Sequence, residues 1–277
     1  MYKFRPIVKT LVWGTEKWVI SGVSGNESVV AEGPEKGKSI SEIHPGAFPL
    51  LIKFIDAHDD LSIQVHPDDA LAAERHNCKG KTEMWYVTAA DEGAHLLSGL
   101  SRRITPDEYE RMVEEGTIEK VLSRYDVHSG DVFFLPAGRI HAIGGGCHIA
   151  EIQQTSDITY RIYDYGRKGL DGKPRELHTG LAKDAIDYNV LPDYRTRYRK
   201  VPGQENLLVR CPFFTTSLLE ACGEYSTPHE EFLIVVCLDG EGSVNGLSLK
   251  AGESGLIMNE GFKVEPSGQM NLLTVRI

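Results

Sequence analysis

The chain has 277 residues, 41% of them hydrophobic and 25% charged, which is enough for one large domain or two small ones with a sizeable core. A formal net charge of −10 argues against nucleic acid or an anionic membrane as a partner, but a local cluster of Lys and Arg still leaves room for a small anionic substrate. The five cysteines, Cys78, Cys147, Cys211, Cys222 and Cys237, are odd in number and form no C-x-x-C pair, so a disulfide framework is not expected and a reducing compartment fits.

Read from its start, "MYKFRPIVKTLVWG" has no apolar core of signal-peptide length. No later stretch approaches the ~18 apolar residues of a membrane span. A soluble cytoplasmic protein is the expectation. A helix is expected over 40–55, then a strand over 61–65 and another over 84–87. Thr105-Pro106-Asp107-Glu108 reads as an N-cap followed by Pro at the first helical position and acids in the first turn. One or two helices should follow to about 123, broken at Gly116. Strands are expected over 132–135 and 148–152. The stretch 163–174, "YDYGRKGLDGKP", reads as a mobile surface loop that suits a lid. A short helix over 181–185 and a polar connection over 187–204 come next, then strands over 213–220 and 232–238. Many short strands separated by Gly, Pro, Asp and Asn point to a mainly β sandwich or barrel.

Three places in this pattern carry chemistry. Gln64 and His66 are two apart on a strand and so project from one face. Glu83 opens the next apolar strand and can face the same interior. In "GDVFFLPAGRIHAI", Pro136 and Gly138 end a strand and aim His141 from a fixed turn. Two imidazoles, a carboxylate and an amide oxygen make a mixed N/O set that suits a borderline divalent metal, zinc first. Bland readings stand beside this one: Gln64 as a satisfied buried amide, Glu83 as the ion-pair partner of Lys81, and His141 as a half-buried turn residue. Arg161, in "TYRIYDYGR", shares a strand face with Thr159 and Tyr163. It either pairs with Asp164 or Asp157, or meets an anion. Lys81 adds a second cation beside Glu83.

A degenerate repeat runs through the chain. Gly130, Pro136, Gly138 and His141 match Gly252, Met258, Glu260 and Lys263 at equal offsets, and "EMWYV" from Glu83 resembles "EFLIV" from Glu231. The second copy lacks the His, Pro and Gly of the first, and Lys263 is expected to bring its charge to the place a cation would occupy.

The motifs "SIQVHPDD", "GKTEMWYV", "LPAGRIHAIGGG" and "TYRIYDYGR", followed by "PRELH", closely resemble the short bacterial branch of the type I mannose-6-phosphate isomerases. "VWGTEKW" and "FPLLIKFIDAHDDLSIQVHP" extend the match over nearly the whole chain. The offsets of Gly130, Pro136, Gly138 and His141 also fit the second motif of the cupin superfamily. The resemblance implies two cupin-like jelly-roll or β-sandwich units with a small helical insertion at about 101–124. The boundaries expected are a catalytic metal-binding domain over 1–186, a linker over 187–204 and a degenerate copy over 205–277. It also implies a zinc-dependent isomerase interconverting mannose 6-phosphate and fructose 6-phosphate, with one Zn²⁺ per chain. By motif, His66, Glu83 and His141 are zinc ligands, and Gln64 is a ligand in relatives of the Q-x-H form, whereas some short relatives have lysine there. Arg161 matches the active-site arginine, and Ser62 and Lys81 match positions linked to substrate or phosphate contact.

Moving a proton between C1 and C2 of an open-chain sugar passes through a cis-enediol. That chemistry calls for a Lewis acid, a cation such as Arg161 near the developing charge, and a general base. Lys81, in its neutral form, and His95 are the two candidates for the base. The alternatives are a non-catalytic sugar-phosphate-binding cupin and a different metal-dependent cupin enzyme such as a dioxygenase. No nucleic-acid or membrane partner is expected, and the chain should be a monomer or a weak dimer.

Overall fold

The computed structural model describes residues 1–277. In chain order the first half contains β1 (Tyr2–Phe4), β2 (Ile7–Leu11), β3 (Gly14–Ser21), β4 (Val30–Glu32), α1 (Ile40–Ile43), β5 (Leu50–Ala57), β6 (Ile63–Val65), α2 (Asp69–His76), β7 (Glu83–Ala90) and β8 (His95–Leu100). Next come α3 (Pro106–Glu114), β9 (Leu122–Asp126), β10 (Val132–Leu135), β11 (His141–Ile143), β12 (Cys147–Gln154), β13 (Tyr160–Tyr163) and α4 (Thr179–Ala185). The remainder is all strand: β14 (Glu205–Arg210), β15 (Thr215–Ala221), β16 (Tyr225–Asp239), β17 (Glu241–Val244), β18 (Leu247–Lys250), β19 (Ser254–Pro266) and β20 (Met270–Arg276). The fold is predominantly β, as the turn-punctuated sequence implies. No helix is long and apolar enough to cross a membrane.

The helices α2 and α3 start where a side chain satisfies one of the first backbone donors. Asp68 accepts the Leu71 N–H at 2.8 Å to open α2, and Thr105 accepts the Glu108 N–H at 3.1 Å to open α3 with Pro106 in its first turn. Gly116 takes φ +65° after α3, and a 3₁₀ turn over Ile118–Val121 follows. The helix expected over 40–55 is only the single turn α1. Pro45, Gly46 and Pro49 prevent its continuation, and "LLIKFIDA" pairs as β5 with alternate residues buried at its C-terminal end.

The chain divides into two compact units. One comprises Met1–Ile7, Trp18–Ile52 and Thr196–Ile277; the other comprises Val8–Lys17 and Lys53–Arg195. This partition differs from boundaries drawn at 186 and 204, because the units interleave along the chain. β1 pairs with β19, Tyr2 opposite Leu256, and β4 pairs with β1. Those pairings draw the N-terminal strands into the sheet ordered β14-β15-β20-β16-β19-β1-β4.

The unit containing Val8–Lys17 and Lys53–Arg195 holds two sheets, ordered β10-β7-β12-β5-β3-β2 and β13-β6-β11-β8-β9, with β5 and β3 contributing the parts that begin at Lys53 and end at Lys17. One face of the five-stranded sheet is covered by α3 and α4 over Ile63, Val65, Leu97, Tyr109, Ile140, Tyr160 and Ile162. A second core contains Trp85, Val87, Leu96, Phe133, Leu135, Ile143 and Ile149. Leu96 and Leu97 fall in different cores because successive side chains on a strand alternate faces.

Two three-strand sets share one pairing scheme. In the first, β7 lies between β10 and β12; the Gly130 N–H bonds the Val87 carbonyl at 2.8 Å, and Leu135 stands opposite Glu83. In the second, β16 lies between β19 and β20; the Gly252 N–H bonds the Cys237 carbonyl at 2.9 Å, and Ile257 stands opposite Leu233. Counted from the two glycines, Leu233 occupies the place of Glu83, two residues beyond the Glu231 that the sequence pattern aligned with it. Leu233 is fully buried with Val235, Ile257 and Phe262.

Lys263 does not bring its charge inside. Its side chain is 46% exposed and pairs with Glu224 and Glu265 at 3.3 and 2.8 Å. Where Pro136 and Gly138 break the first copy, β19 runs on through Met258 and Glu260, so that Phe262 rather than Lys263 is buried.

Candidate metal centre

Gln64 sits at the middle of a cross-strand row. It stands opposite Arg161 on β13 and opposite His141 on β11, and His141 stands opposite Ser98 on β8. Directly opposed residues in antiparallel strands share a face, so these four side chains belong to one surface of the sheet. His66, two residues after Gln64, joins that face. Leu96 lies on it as well, so this surface is the one that meets the core with Trp85 and Phe133.

Two glycines bring the other parts to this row. Gly80 lies so close to the Pro67–Asp69 backbone that an added Cβ would stand 2.4 Å from the Asp68 carbonyl carbon. The neighbouring Lys81 N–H bonds the Pro67 carbonyl at 3.1 Å. This close approach delivers Lys81 and Glu83 beside His66. Gly138 adopts φ +88°, a conformation that favours glycine, and its N–H bonds the His66 carbonyl at 2.9 Å. That bond ties the turn before His141 to the other histidine.

His66, Glu83 and His141 form a buried cluster whose potential ligand atoms all lie within 4.8 Å of one another. Each histidine has its Nδ1 on a backbone carbonyl: His66 on Ile158 at 2.9 Å and His141 on Arg139 at 2.8 Å. A carbonyl accepts, so Nδ1 carries the proton and Nε2 keeps its lone pair. Both lone pairs face Glu83, at 3.5 Å from His66 to Oε2 and 3.4 Å from His141 to Oε1. Burial holds both imidazoles neutral: His66 titrates well below its usual range, helped by the Lys81 charge, and His141 is pushed down to about 3. The Gln64 amide nitrogen is 3.3 Å from His141 Nε2, so a half-turn of the amide would present its oxygen to the same point.

The cluster is deficient in positive charge. Lys81 Nζ lies 2.7 Å from Glu83 Oε2, 3.1 Å from His66 Nε2 and 3.6 Å from Glu151 Oε1. Lys53 bridges Glu16 at 3.1 Å and Glu151 at 3.2 Å, and the Trp85 indole N–H donates to Glu151 Oε2 at 2.8 Å. Three buried carboxylates thus face two ammonium groups. Burial and then Glu151 push Glu83 up to about 7. Burial acts the same way on Glu151, but Lys53 and Lys81 outweigh it and hold that carboxyl down at about 2. Lys81 reaches one oxygen of Glu83, Oε2, while Oε1 has no hydrogen-bond partner, and a buried carboxylate left half satisfied is costly. Two neutral nitrogen donors, one anionic oxygen and missing positive charge fit a divalent cation of the zinc class.

The ion pair of Glu83 with Lys81, which the sequence left as an alternative to ligation, is therefore present within the metal cluster. Arg161 does not pair with Asp164 or Asp157. Its Nη1 donates to the Glu176 carbonyl at 2.8 Å and its Nε is buried without a partner. Burial, then the charge of Arg175, lowers its pKa. Ser62 is buried just before β6, and alternation along the strand gives it the face of Gln64. His95 is three residues from Ser98 on β8 and faces the other way. Lys53, Glu151 and Trp85 were not singled out from sequence. Lys53 and Glu151 are charges in otherwise apolar strand runs, "LLIKFI" and "HIAEIQ", and an unpaired charge in such a run is the signal that was available.

The comparisons with known proteins agree with this geometry. The family model for the catalytic domain of phosphomannose isomerase type I matches residues 16–92. A mannose-6-phosphate isomerase from Streptococcus mutans is 37% identical over 242 residues, covering 83% of this chain and 76% of that one. One from Bacillus subtilis is 33% identical over 270 residues, covering 86% and 85%. A crystal structure of mannose 6-phosphate isomerase from Bacillus subtilis superposes with a TM-score of 0.91 at 30% identity, covering 100% of this chain and 99% of that one. A mutant of phosphomannose isomerase from Salmonella typhimurium, at 16% identity and a TM-score of 0.78 over 100% of both chains, shares the fold. With a buried His–Glu–His centre in a β framework like theirs, the chain belongs to the type I phosphomannose isomerases of the cupin superfamily, in their short bacterial form.

Proposed function

We propose that this chain interconverts mannose 6-phosphate and fructose 6-phosphate with one zinc ion held by His66, Glu83, His141 and the turned-over amide of Gln64. The observation that carries the reading is the pair of neutral Nε2 nitrogens converging on a buried carboxylate whose Oε1 has no hydrogen-bond partner. A zinc ion bound there supplies Lewis acidity to the oxygens at C1 and C2 of the open-chain sugar. Arg161, on the strand next to Gln64, stabilises the negative oxygen of the enediol-type intermediate. Lys81 stands at the cluster and His95 does not, so Lys81, once its ammonium has given up its proton, is the base that takes the proton from one carbon and returns it to the other. Glu151, itself paired with Lys53, lies 3.6 Å from the Lys81 Nζ and positions it, and Ser62 contacts substrate from the same face as Gln64. Residues 205–277 are read as the metal-free degenerate copy, their interior filled by Leu233 and Phe262. The five free cysteines support a cytoplasmic location, and a monomer or weak dimer is proposed.

The test is mannose 6-phosphate incubated with the chain in D₂O and followed by NMR. Fructose 6-phosphate should form with deuterium entering at the C1/C2 positions, and chelation should abolish both. No product from the metal-loaded chain would overturn the reading.

A further inference from the structure

The stretch "PRELH", Pro174 to His178, has no part in the metal cluster, yet it closes on Arg161. The Arg161 N–H donates to His178 Nδ1 at 3.2 Å. The His178 N–H donates to the Arg161 carbonyl at 2.7 Å. Arg161 Nη1 donates to the Glu176 carbonyl at 2.8 Å. Two residues of one short segment thus bind both backbone groups of Arg161 and its guanidinium.

The place of Arg161 in the sheet explains the need. β13 is the outermost strand of the order β13-β6-β11-β8-β9. One of its edges has no neighbouring strand, and N–H and C=O groups on such an edge need partners from elsewhere. A neighbouring strand would offer a donor and an acceptor from its backbone. Here His178 offers the donor from its backbone and the acceptor from its ring. The register of β13 against β6 also shifts between Arg161 and Tyr163, and a ladder interrupted in this way fixes a residue less firmly.

His178 is fixed in turn by α4. Its carbonyl accepts the Ala182 N–H at 2.9 Å and opens the helix. Ala182 is buried in the core that holds Tyr160 and Ile162 of β13, and the Tyr109 hydroxyl donates to the Thr179 carbonyl at 3.1 Å. Leu177, between the two residues that bind Arg161, is 46% exposed, so polar bonds rather than apolar burial hold this segment to the strand. The ring accepts at Nδ1, which puts its proton on Nε2, 3.9 Å from Glu176 Oε2. Burial lowers the His178 pKa, and Arg161 and His76 act the same way against the pull of Glu176, so the Nδ1 lone pair stays available.

We propose that His178 is a positioning residue for the isomerisation: with the Glu176 carbonyl it holds Arg161 where the charge of the enediol-type intermediate develops. The inference rests on the isomerase reading above. A cation on a long flexible stem contributes fully only when it is ordered before the reaction, and a displacement of ~1 Å can cost on the order of 10²-fold in rate. His178 acts through Arg161 alone.

The test uses the full chain loaded with zinc, with His178→Ala, His178→Asn, His178→Gln, Arg161→Ala and the double variant His178→Ala/Arg161→Ala. Turnover of mannose 6-phosphate and bound zinc are measured. His178→Ala should lower kcat by about 10- to 100-fold with zinc at the wild-type level. Asparagine carries its amide oxygen as many bonds from Cα as the histidine carries Nδ1, so His178→Asn should bring kcat back to within about threefold of wild type. His178→Gln sets the oxygen one bond further out and should not. On the Arg161→Ala background, His178→Ala should change kcat by less than about twofold, because residues that act through one another are not additive. A kcat for His178→Ala within about threefold of wild type would overturn the proposal. So would the full loss repeated on the Arg161→Ala background, or loss of zinc with kcat, either of which would make His178 a support of the fold. Should His178→Ala fail to fold, equal kcat in the asparagine and glutamine variants would overturn it. No turnover by the wild-type chain would sink the isomerase reading and this role together, whereas turnover that survives in His178→Ala sinks this role alone.

Discussion

Gln64 faces His141 across the β6–β11 pair, its amide nitrogen 3.3 Å from the imidazole Nε2. The other nitrogen of His141 is committed to the Arg139 carbonyl, so the lone pair of Nε2 is the acceptor. The amide thus guards the same lone pair that a cation would take. Gln64→Leu should weaken zinc binding by roughly 10- to 100-fold, the range for a group supporting a metal ligand. His66→Ala and His141→Ala should abolish it. Competition with a chromophoric chelator measures all three, and full zinc affinity in either histidine variant would show the centre to be misassigned.

Arg161→Ala should lower kcat by on the order of 10²–10³, as loss of one preorganised electrostatic group does, while zinc content stays at the wild-type level. Steady-state kinetics with elemental analysis reads both. A variant within about threefold of wild type would remove Arg161 from the chemistry, and loss of zinc would make it a support of the site.

Lys53→Met should destabilise the chain by about 3–5 kcal/mol, because it leaves Glu16 and Glu151 as buried charges without their shared partner. Urea denaturation of the zinc-free chain checks this. A change below about 1 kcal/mol would mean that the network is solvated.

These predictions differ in how far the sequence foreshadows them. Gln64, His66, Glu83 and His141 are legible because alternation along a strand and a Pro-x-Gly turn are local signals, and the family motifs are short and contiguous. The capped start of α3 at Thr105 is legible for the same reason. Lys53 and Glu151 are not, because their meaning is the place of β12 between β5 and β7, which joins Glu151 to Trp85 and Lys53, 66 and 98 positions away. The placing of Tyr2–Phe4 beside β19 likewise depends on pairing across more than 200 residues, which no local pattern encodes, and Val30–Glu32 joins that sheet only through β1. The helix expected over 40–55 fails because "LLIKFI" is apolar enough for a buried helix or a buried strand, and only its neighbours decide. In the second copy, the bulge between Thr227 and Glu230 accompanies the two-residue offset that the matched letters concealed.

Metal binding should depend on pH through a single proton. Glu83, raised to about 7, holds a proton below that pH in the metal-free chain, and zinc must displace it. His66 and His141 are lowered and are already neutral there. The logarithm of the zinc affinity should therefore rise with a slope near one between about pH 5 and 6.5 and flatten above about 7. A slope of two or three would show that the histidines are protonated in the free site. Linkage gives Glu83 a matching sign in the metal-free chain: its raised pKa contributes stability that is fully present below 4.5 and lost as the pH rises through about 7.

The second copy should be inert toward metal. His229 is exposed and Leu233 fills the position of Glu83, so His229→Ala should leave the zinc content at one per chain by elemental analysis. A tightly held second equivalent that disappears in the variant would show a live site in residues 205–277.

Whether one metal centre does the chemistry is tested most directly by titrating zinc into the metal-free chain while following fructose 6-phosphate formation from mannose 6-phosphate. Activity should rise in proportion to bound zinc, saturate at one equivalent, and stay absent in Glu83→Gln at the same zinc concentrations. Turnover that is independent of zinc, or full turnover by Glu83→Gln, would contradict it.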